Sequence, residues 1–329
     1  MRVIVFGGTR FVGLSLVEQL VGHGHSVAVV HRGVHEPKDL PEVEHVHAER
    51  SSLGEHRREL LGFRPDAAVD MAAMTAADAR AVADVLDASV PLVAASSADV
   101  YRACASVHEG KVTDPVPLAE DAALREGPPP DRDVVPPGWD YDATHYEKLD
   151  VERIYLDRGA AVCRLPMVYG EGDYKRREEF VLRRVRAGRE RIPVGPGSFL
   201  WSRGYAPELA RGIRLALEGG VEGEVFNLAE PACAPVRLWV EQIHAAAGHA
   251  AELARVPDEH LPEDLLLTSE IPQPWTIDST KARERLGWIH APWRECVERS
   301  VRWHLEHPPP AAEVAPDFGA DDAALAFAA

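Results

Sequence analysis

The stretch Val3-Ile4-Val5-Phe6-Gly7-Gly8-Thr9-Arg10-Phe11-Val12-Gly13 decides the fold. Val3 to Phe6 form an unbroken apolar run and read as a buried strand. A glycine-rich turn follows. Beyond it Phe11, Val12, Leu14, Leu16, Val17, Leu20 and Val21 recur at helical spacing as far as Gly22 and Gly24. Strand, glycine turn and helix in this order are the arrangement that binds dinucleotides. Gly7 permits a tight turn and Gly13 lets helix and strand pack closely. The helix N-terminus offers unpaired N–H groups and a positive dipole to a pyrophosphate. The competing reading is a structural glycine turn that meets no phosphate. A strand and a helix correctly placed on either side argue against it.

Working outward, Val27 to Val30 read as a second strand, ending at His31-Arg32-Gly33. Val43 to Val46, Asp66 to Met71, Pro91 to Ala95 and Ala161 to Leu165 read as further strands, with a helical stretch at Ala76 to Leu86. Strands separated by helices at this spacing predict right-handed crossovers and a doubly wound parallel α/β sheet. Residues 102–139, with Pro115, Pro117, Pro128 to Pro130, Pro136 and Pro137, predict a long irregular loop, either a lid or a passive insertion. Helical character resumes around Tyr141 to Arg158. Past Gly170 the pattern is mixed, with helices at Tyr174 to Ala187, Glu208 to Leu217, Arg237 to Ala247 and Trp293 to Glu306 and a strand at Glu224 to Leu228. The domains expected are 1–170, 171–307 and a mobile tail, 308–329, rich in Pro, Ala and Asp.

With 329 residues and 46% hydrophobic content, the chain can bury a sizeable core. No apolar run approaches the ~20 residues of a membrane span, and the chain starts directly in a strand, so no secretory leader and no membrane partner are expected. A net charge of −17 opposes a nucleic-acid partner. The basic run Lys175-Arg176-Arg177 with Arg183, Arg184 and Arg186 reads as a solvated helix face. Cys104, Cys163, Cys233 and Cys296 lack metal spacing and read as free core thiols of a cytoplasmic protein. His23-x-His25 and His45-x-His47 could each put two imidazoles on one strand face. No third ligand is suggested nearby, and no metal site is expected.

Five segments now stand in order: residues 7–13; Ser96-Ser97-Ala98-Asp99-Val100-Tyr101; Lys148-Leu149-Asp150-Val151-Glu152; Arg164-Leu165-Pro166-Met167-Val168-Tyr169-Gly170; and Asp278 to Trp288. Together they resemble the extended short-chain dehydrogenase/reductase superfamily of the NAD-dependent epimerase/dehydratase type, over about residues 1–306. The resemblance implies a Rossmann-type sheet with a smaller mixed α/β C-terminal part that binds substrate. It implies cofactor contacts from Gly7, Thr9, Arg10, Phe11, Val12, Gly13, His31, Arg32, Met71, Ala72, Ser96, Lys148, Leu165, Pro166 and Val168.

Two departures stand out. Arg10 replaces the middle glycine of the family's turn, as in an atypical branch, and must turn its side chain away or onto a phosphate. In the family's active site a Tyr precedes a Lys by four on one helix, with a Ser from the fifth strand. The matching residues are Ser97 and Lys148, but the Tyr position is Thr144. A Thr hydroxyl is too weak an acid to replace a phenol in general acid–base catalysis. Tyr146 lies roughly 200° away on an ideal helix. Only an irregular helix start would let Tyr146 or Tyr141 reach.

NAD sites place an acid at the end of the second strand. Here His31-Arg32 stand there and no acid follows before Glu36, so NADP(H) is expected, its 2′-phosphate gripped by arginine. The two arginines with which nucleotide-sugar relatives hold a diphosphate fall on Trp201 and on or near Thr268. That weakens an epimerase/dehydratase reading and leaves an oxidoreductase acting on a carbonyl or hydroxyl of a small molecule. A cofactor-binding sensor or scaffold without turnover is the other class, and a homodimer stays open.

Overall fold

The computed structural model describes residues 1–37, 40–129, 143–310 and 317–328. Its strands are β1 (Arg2–Phe6), β2 (Ser26–His31), β3 (Glu44–His47), β4 (Ala67–Asp70), β5 (Leu92–Ser97), β6 (Ala161–Leu165), β7 (Met167–Tyr169), β8 (Arg191–Val194), β9 (Arg203–Tyr205), β10 (Val225–Asn227) and β11 (Glu252–Arg255). Its helices are α1 (Phe11–Gly22), α2 (Arg57–Gly62), α3 (Ala76–Val85), α4 (Arg102–Glu109), α5 (Lys148–Asp157), α6 (Glu179–Arg186), α7 (Ala206–Glu218), α8 (Val236–Ala246), α9 (Thr280–Leu286), α10 (Trp293–Glu306) and α11 (Gly319–Leu325). Seven strands form one sheet in the order β10-β6-β5-β4-β1-β2-β3, every neighbour parallel. This is the expected doubly wound order, and its direction reverses between β1 and β4. The glycine turn leaves β1 at that reversal, where such sheets open a crevice beyond their strand ends.

Residue alternation sets the layers. Val3, Val5, Val27 and Val29 are buried against Leu16, Val17 and Leu20 of α1 and Leu209 and Ile213 of α7. Ile4, Phe6, Ala28 and Val30 face the other way, onto Val82 of α3 and Val151 and Tyr155 of α5. Both faces of β1 are covered, which is why it reads as an apolar run.

The boundary expected at residue 170 is not clean. Residues 206–228 return to the first layer, α7 packing beside α1 and β10 pairing with β6 (Val225↔Val162). The remaining C-terminal part has its own packing centre around Met167, Tyr169, Phe199, Trp239 and Val301.

Three expectations about order are corrected. Residues 102–139 are not loop throughout, since α4 occupies Arg102–Glu109 and ends on Gly110 in the left-handed region (φ 65°). Residues 118–125 are strapped down: Leu118 N–H donates to Thr276 O (2.8 Å), Arg102 N–H to Ala123 O (2.9 Å) and Arg125 N–H to Val100 O (2.9 Å). Residues 130–142, with Tyr141, lie outside the described residues. The tail carries α11, and Asp321 is buried there against Arg184 of α6 (Nε–Oδ2 2.8 Å, Nη2–Oδ1 2.7 Å). Arg184 is therefore no part of a solvated face. Asp264 completes its pairing (2.8 Å), and a buried guanidinium requires such partners. No helix among the described residues is long and apolar enough to cross a membrane.

Glu178, preceding α6, is 1% exposed and accepts the Ser300 hydroxyl. Burial, then the charges of Asp173, Glu171 and Glu230, push its carboxyl up to about 8 from an ordinary value of 4.5. The folded state thus holds a proton that the unfolded chain loses. The stability this gives is complete below pH 4.5 and is lost as pH rises through about 8. His304, held down to about 4 by burial, acts in the opposite sense only below its ordinary value of 6.5. Above pH 6.5, Glu178→Gln is therefore expected to melt increasingly higher than the parent, by on the order of 1–3 kcal/mol at pH 8.5. Thermal unfolding of both proteins from pH 6.5 to 8.5 checks this; parallel curves would refute it.

Candidate functional site

The glycine turn is closed by contact rather than by composition. Gly7 has φ +87° and abuts Ala72, and a β-carbon on Gly13 would sit 2.2 Å from Gly7 O. Met71 N–H donates to Phe6 O (2.9 Å), so Met71 and Ala72, at the end of β4, flank the turn. Thr9 and Val12 are buried beneath it. The residue before α1 is Arg10, with extended backbone (φ −144°, ψ 147°). Among the described residues no side chain caps the helix, and its first turn carries no acid. The uncapped N–H groups of α1 fit a phosphate group. Arg10 turns its guanidinium onto the ring of Tyr174, 4.8 Å from the centroid, and Phe11 meets that ring edge-on at 6.0 Å. Phe11 has φ 48°, a left-handed backbone that costs an aromatic residue energy and is held by this packing. The segment after β7 thus closes over the turn.

Farther along the crevice lie the ends of β5 and β6, where Ser97 pairs in register with Leu165 and the chain continues through Pro166 to Val168. Ser97 accepts Asp99 N–H (3.2 Å) and caps the short turn 98–100. Ser96 points elsewhere, donating to buried Glu152 (2.6 Å). Glu152 also takes both arms of Arg164 (3.0 and 2.8 Å). The Lys-x-x-x-Glu spacing therefore has a structural cause, because Glu152 anchors α5 to β5 and β6 one turn beyond Lys148.

Lys148 is 4% exposed, and its ammonium donates to Ala73 O (2.6 Å) and Ala95 O (3.4 Å), at the ends of β4 and β5. Burial holds its pKa below the ordinary value, against the opposing charges of Asp99 and Asp70. Helix α5 begins at Lys148 itself. Glu147 is its N-cap, with extended backbone (φ −157°, ψ 95°) and a carboxylate accepting Leu149 N–H (2.9 Å). Among the described residues, the helix expected from residue 141 does not run through 143–147: a single 3-10 turn, Ala143–His145, precedes Tyr146 and Glu147, and ideal α-helix angles do not govern residues 144–147. Thr144 is exposed, its hydroxyl 3.1 Å from His145 Nδ1. Tyr146 instead comes inward, and its hydroxyl donates to Asp99 Oδ2 at 2.5 Å.

Sequence reasoning quoted Asp99 within a motif but gave it no role. Its Oδ1 is shut off from solvent and has no hydrogen-bond partner among the described residues. Burial pushes its carboxyl up, while Tyr146, Arg125 and Lys148 pull it down. Arg125, 4% exposed, donates to Asp99 O (3.0 Å) and grips Glu147 (2.9 and 2.5 Å), tying the strap to the start of α5. Burial and Arg177 bring Lys175 down to about 8, with Asp173 and Asp99 acting the other way. Phenol, carboxyl and ammonium groups in one half-buried patch can store and move a proton.

Residues 3–229 match the model of the NAD dependent epimerase/dehydratase family. The chain belongs to that family. As an epimerase/dehydratase family member it is an NAD(P)-dependent enzyme of the short-chain dehydrogenase/reductase type, with a nicotinamide dinucleotide as cofactor. It is 28% identical over 274 residues to 2′-dehydrokanamycin reductase of Streptomyces kanamyceticus, covering 80% of this chain and 72% of that one. It is 27% identical over 325 residues to a 4-hydroxy-2-methyl-3-oxo-4-farnesyl-3,4-dihydroquinoline-1-oxide ketoreductase of Stigmatella aurantiaca, covering 88% and 92%. A solved dTDP-glucose 4,6-dehydratase from Bacillus anthracis, in complex with NAD, superposes with a TM-score of 0.71 at 16% identity, over 93% of this chain and 97% of that one. At that identity the likeness is one of fold.

Against the family's diphosphate arginines, Trp201 stacks on Trp275 (centroids 6.3 Å, 21°), and the Thr268 hydroxyl is used up between Leu265 O (2.7 Å) and Gly195 N–H (2.9 Å). At the second strand's end His31 is buried and Arg32 exposed. His31 does not stand alone: Glu36, His45 and His47 converge on it, supplying neighbours that sequence spacing did not suggest. His31 and His47 are register partners across β2 and β3. Burial, then His47 and His45, hold the His31 pKa low. The other histidine pair forms no strand face; His23 ends α1, and His25 meets Glu218 (3.0 Å).

Proposed function

We propose that the protein is an NADP(H)-dependent reductase or dehydrogenase acting on a carbonyl or hydroxyl of a small, non-nucleotide substrate. The Tyr146–Asp99 hydrogen bond beside Lys148 carries this reading. A bound dihydronicotinamide supplies the hydride. Tyr146 then gives its proton to the developing alkoxide; Asp99, whose protonated form burial favours, passes a proton to the resulting phenolate and is reprotonated from water. Lys148 and Ser97 hold that oxygen and the adjoining ribose, so charge stabilisation survives the change at position 144. Gly7, Thr9 and Phe11 to Gly13 carry the pyrophosphate. Met71, Ala72, Leu165, Pro166 and Val168 line the crevice. The names of the reductase and ketoreductase relatives support this class. Trp201, standing where nucleotide-sugar enzymes need arginine and stacked on Trp275, supports an apolar or aromatic substrate over a nucleotide sugar.

Arg32, exposed where NAD sites carry an acid, supports the choice of NADP(H). Calorimetric titration is expected to give tighter binding of NADPH than NADH. Arg32→Ala should weaken NADPH alone, by about 1.5–3 kcal/mol, the loss of one charge-assisted contact. Equal affinities, or an unaffected variant, would refute the assignment. NADPH oxidation across a panel of aryl and alkyl ketones tests turnover. Binding without any oxidation would favour the sensor reading.

A further inference from the structure

We infer that His31, Glu36, His45 and His47 form a binding site for one divalent transition-metal ion, of which zinc is the natural occupant. The site rests on register and does not depend on the hydride-transfer reading. In β3, His45 and His47 flank Val46 and so project to one face. Val46 packs into the core on the other. His31 pairs directly with His47 in the parallel ladder and lies diagonal to His45, which brings its ring to the same face. The connection after β2 then returns Glu36 to the group. One donor atom from each of the four lies within 4.8 Å of every other. His31 Nε2 is 2.9 Å from His45 Nδ1 and 3.7 Å from Glu36 Oε1, and Glu36 Oε1 is 2.6 Å from His47 Nε2.

Tetrahedral zinc with bonds of about 2.0–2.1 Å requires donor separations of roughly 3.3–3.5 Å. The four atoms bracket that value, so loading needs only small side-chain adjustments. Three imidazoles and one carboxylate are borderline donors suited to zinc and cobalt, and not to calcium or magnesium. One feature makes loading more than a filling of space. Gly33 N–H donates to His31 Nδ1 at 3.1 Å, which leaves the ring proton on Nε2. Metal at Nε2 requires the proton on Nδ1, so Gly33 N–H must turn away. Loading therefore shifts the turn that carries Arg32, and pins the edge strand to the loop that precedes it.

The experiment uses the full chain, stripped of metal by a chelator and titrated with Co²⁺. One equivalent is expected to bind, with the intense visible bands of tetrahedral cobalt, and Zn²⁺ should displace it. His45→Ala and His47→Ala should each weaken binding by about 100-fold or more, since each removes a ligand. Both side chains lie on the exposed edge, so the variants should melt with the parent in chelator. Zn²⁺ should raise the melting temperature of the parent and leave that of the double variant unchanged. Substoichiometric binding, the weak spectrum of octahedral cobalt, or undiminished binding by the double variant would overturn the site.

Discussion

Tyr146→Phe is expected to slow hydride transfer by about 10²–10⁴-fold while leaving dinucleotide affinity unchanged. The phenol lies directly on Asp99, its hydroxyl donating to Oδ2 at 2.5 Å. Thr144→Val is expected to keep full rate because Thr144 is exposed and turned toward His145. Asp99→Asn should fall between the two, since an amide holds Tyr146 in place but cannot return a proton to it. Single-turnover absorbance at the nicotinamide, with the best ketone from the panel, separates the chemical step from binding. Equal rates for Tyr146→Phe and the parent would end the assignment of Tyr146 as proton donor. A Thr144→Val rate as low as that of Tyr146→Phe would move the donor to a water held by Thr144.

Arg164→Met is expected to cost about 3–5 kcal/mol of stability, because it strands the buried Glu152 carboxylate without its counter-charge. Both side chains are 4% exposed. Arg164 also donates to Tyr101 (3.0 Å) and to Glu120 O (2.9 Å), and Tyr101 in turn donates to Asn227 (2.7 Å). One guanidinium, carried on β6, thus ties α5, Tyr101 and the strap together, and through Tyr101 reaches β10. Adding Glu152→Leu to Arg164→Met should recover most of the loss, as the isolated charge is then gone. Urea unfolding of the single and double variants measures this. A single-variant loss below about 1 kcal/mol would mean the pair carries no net penalty when broken.

What the sequence revealed and what it concealed follow from the range of the forces involved. The β1–turn–α1 unit was legible because its signals are local: an apolar run, a helical period and glycines at the bend. Motif spacing singled out Lys148 and Ser97, and the structure sets Ser97 at the end of β5 and the Lys148 ammonium on Ala73 O and Ala95 O. The start of α5 was not, because it is set by Glu147, whose extended backbone and grip on Arg125 come from a segment distant in sequence. Asp99 was in plain view, yet its interest lies in burial, which no spacing reports. The histidine cluster needed the register of β2 on β3, and Arg184 needed Asp321, 137 residues away. Long-range pairing of polar groups was the common element in what the sequence withheld.

Helix α5 begins at Lys148, with Tyr146 ahead of it on non-helical chain. In a protein that carries acid and lysine on one helix, their spacing is locked to the helical repeat, and neither can change position without the other. In the proposed mechanism the lysine belongs to the scaffold and the acid to the incoming segment. A change in the chain before residue 147 then shifts the proposed donor without moving Lys148. On that proposal, Thr144 stands where the family carries its phenol, and the donor role passes to the segment ahead of α5 while Lys148 keeps its place.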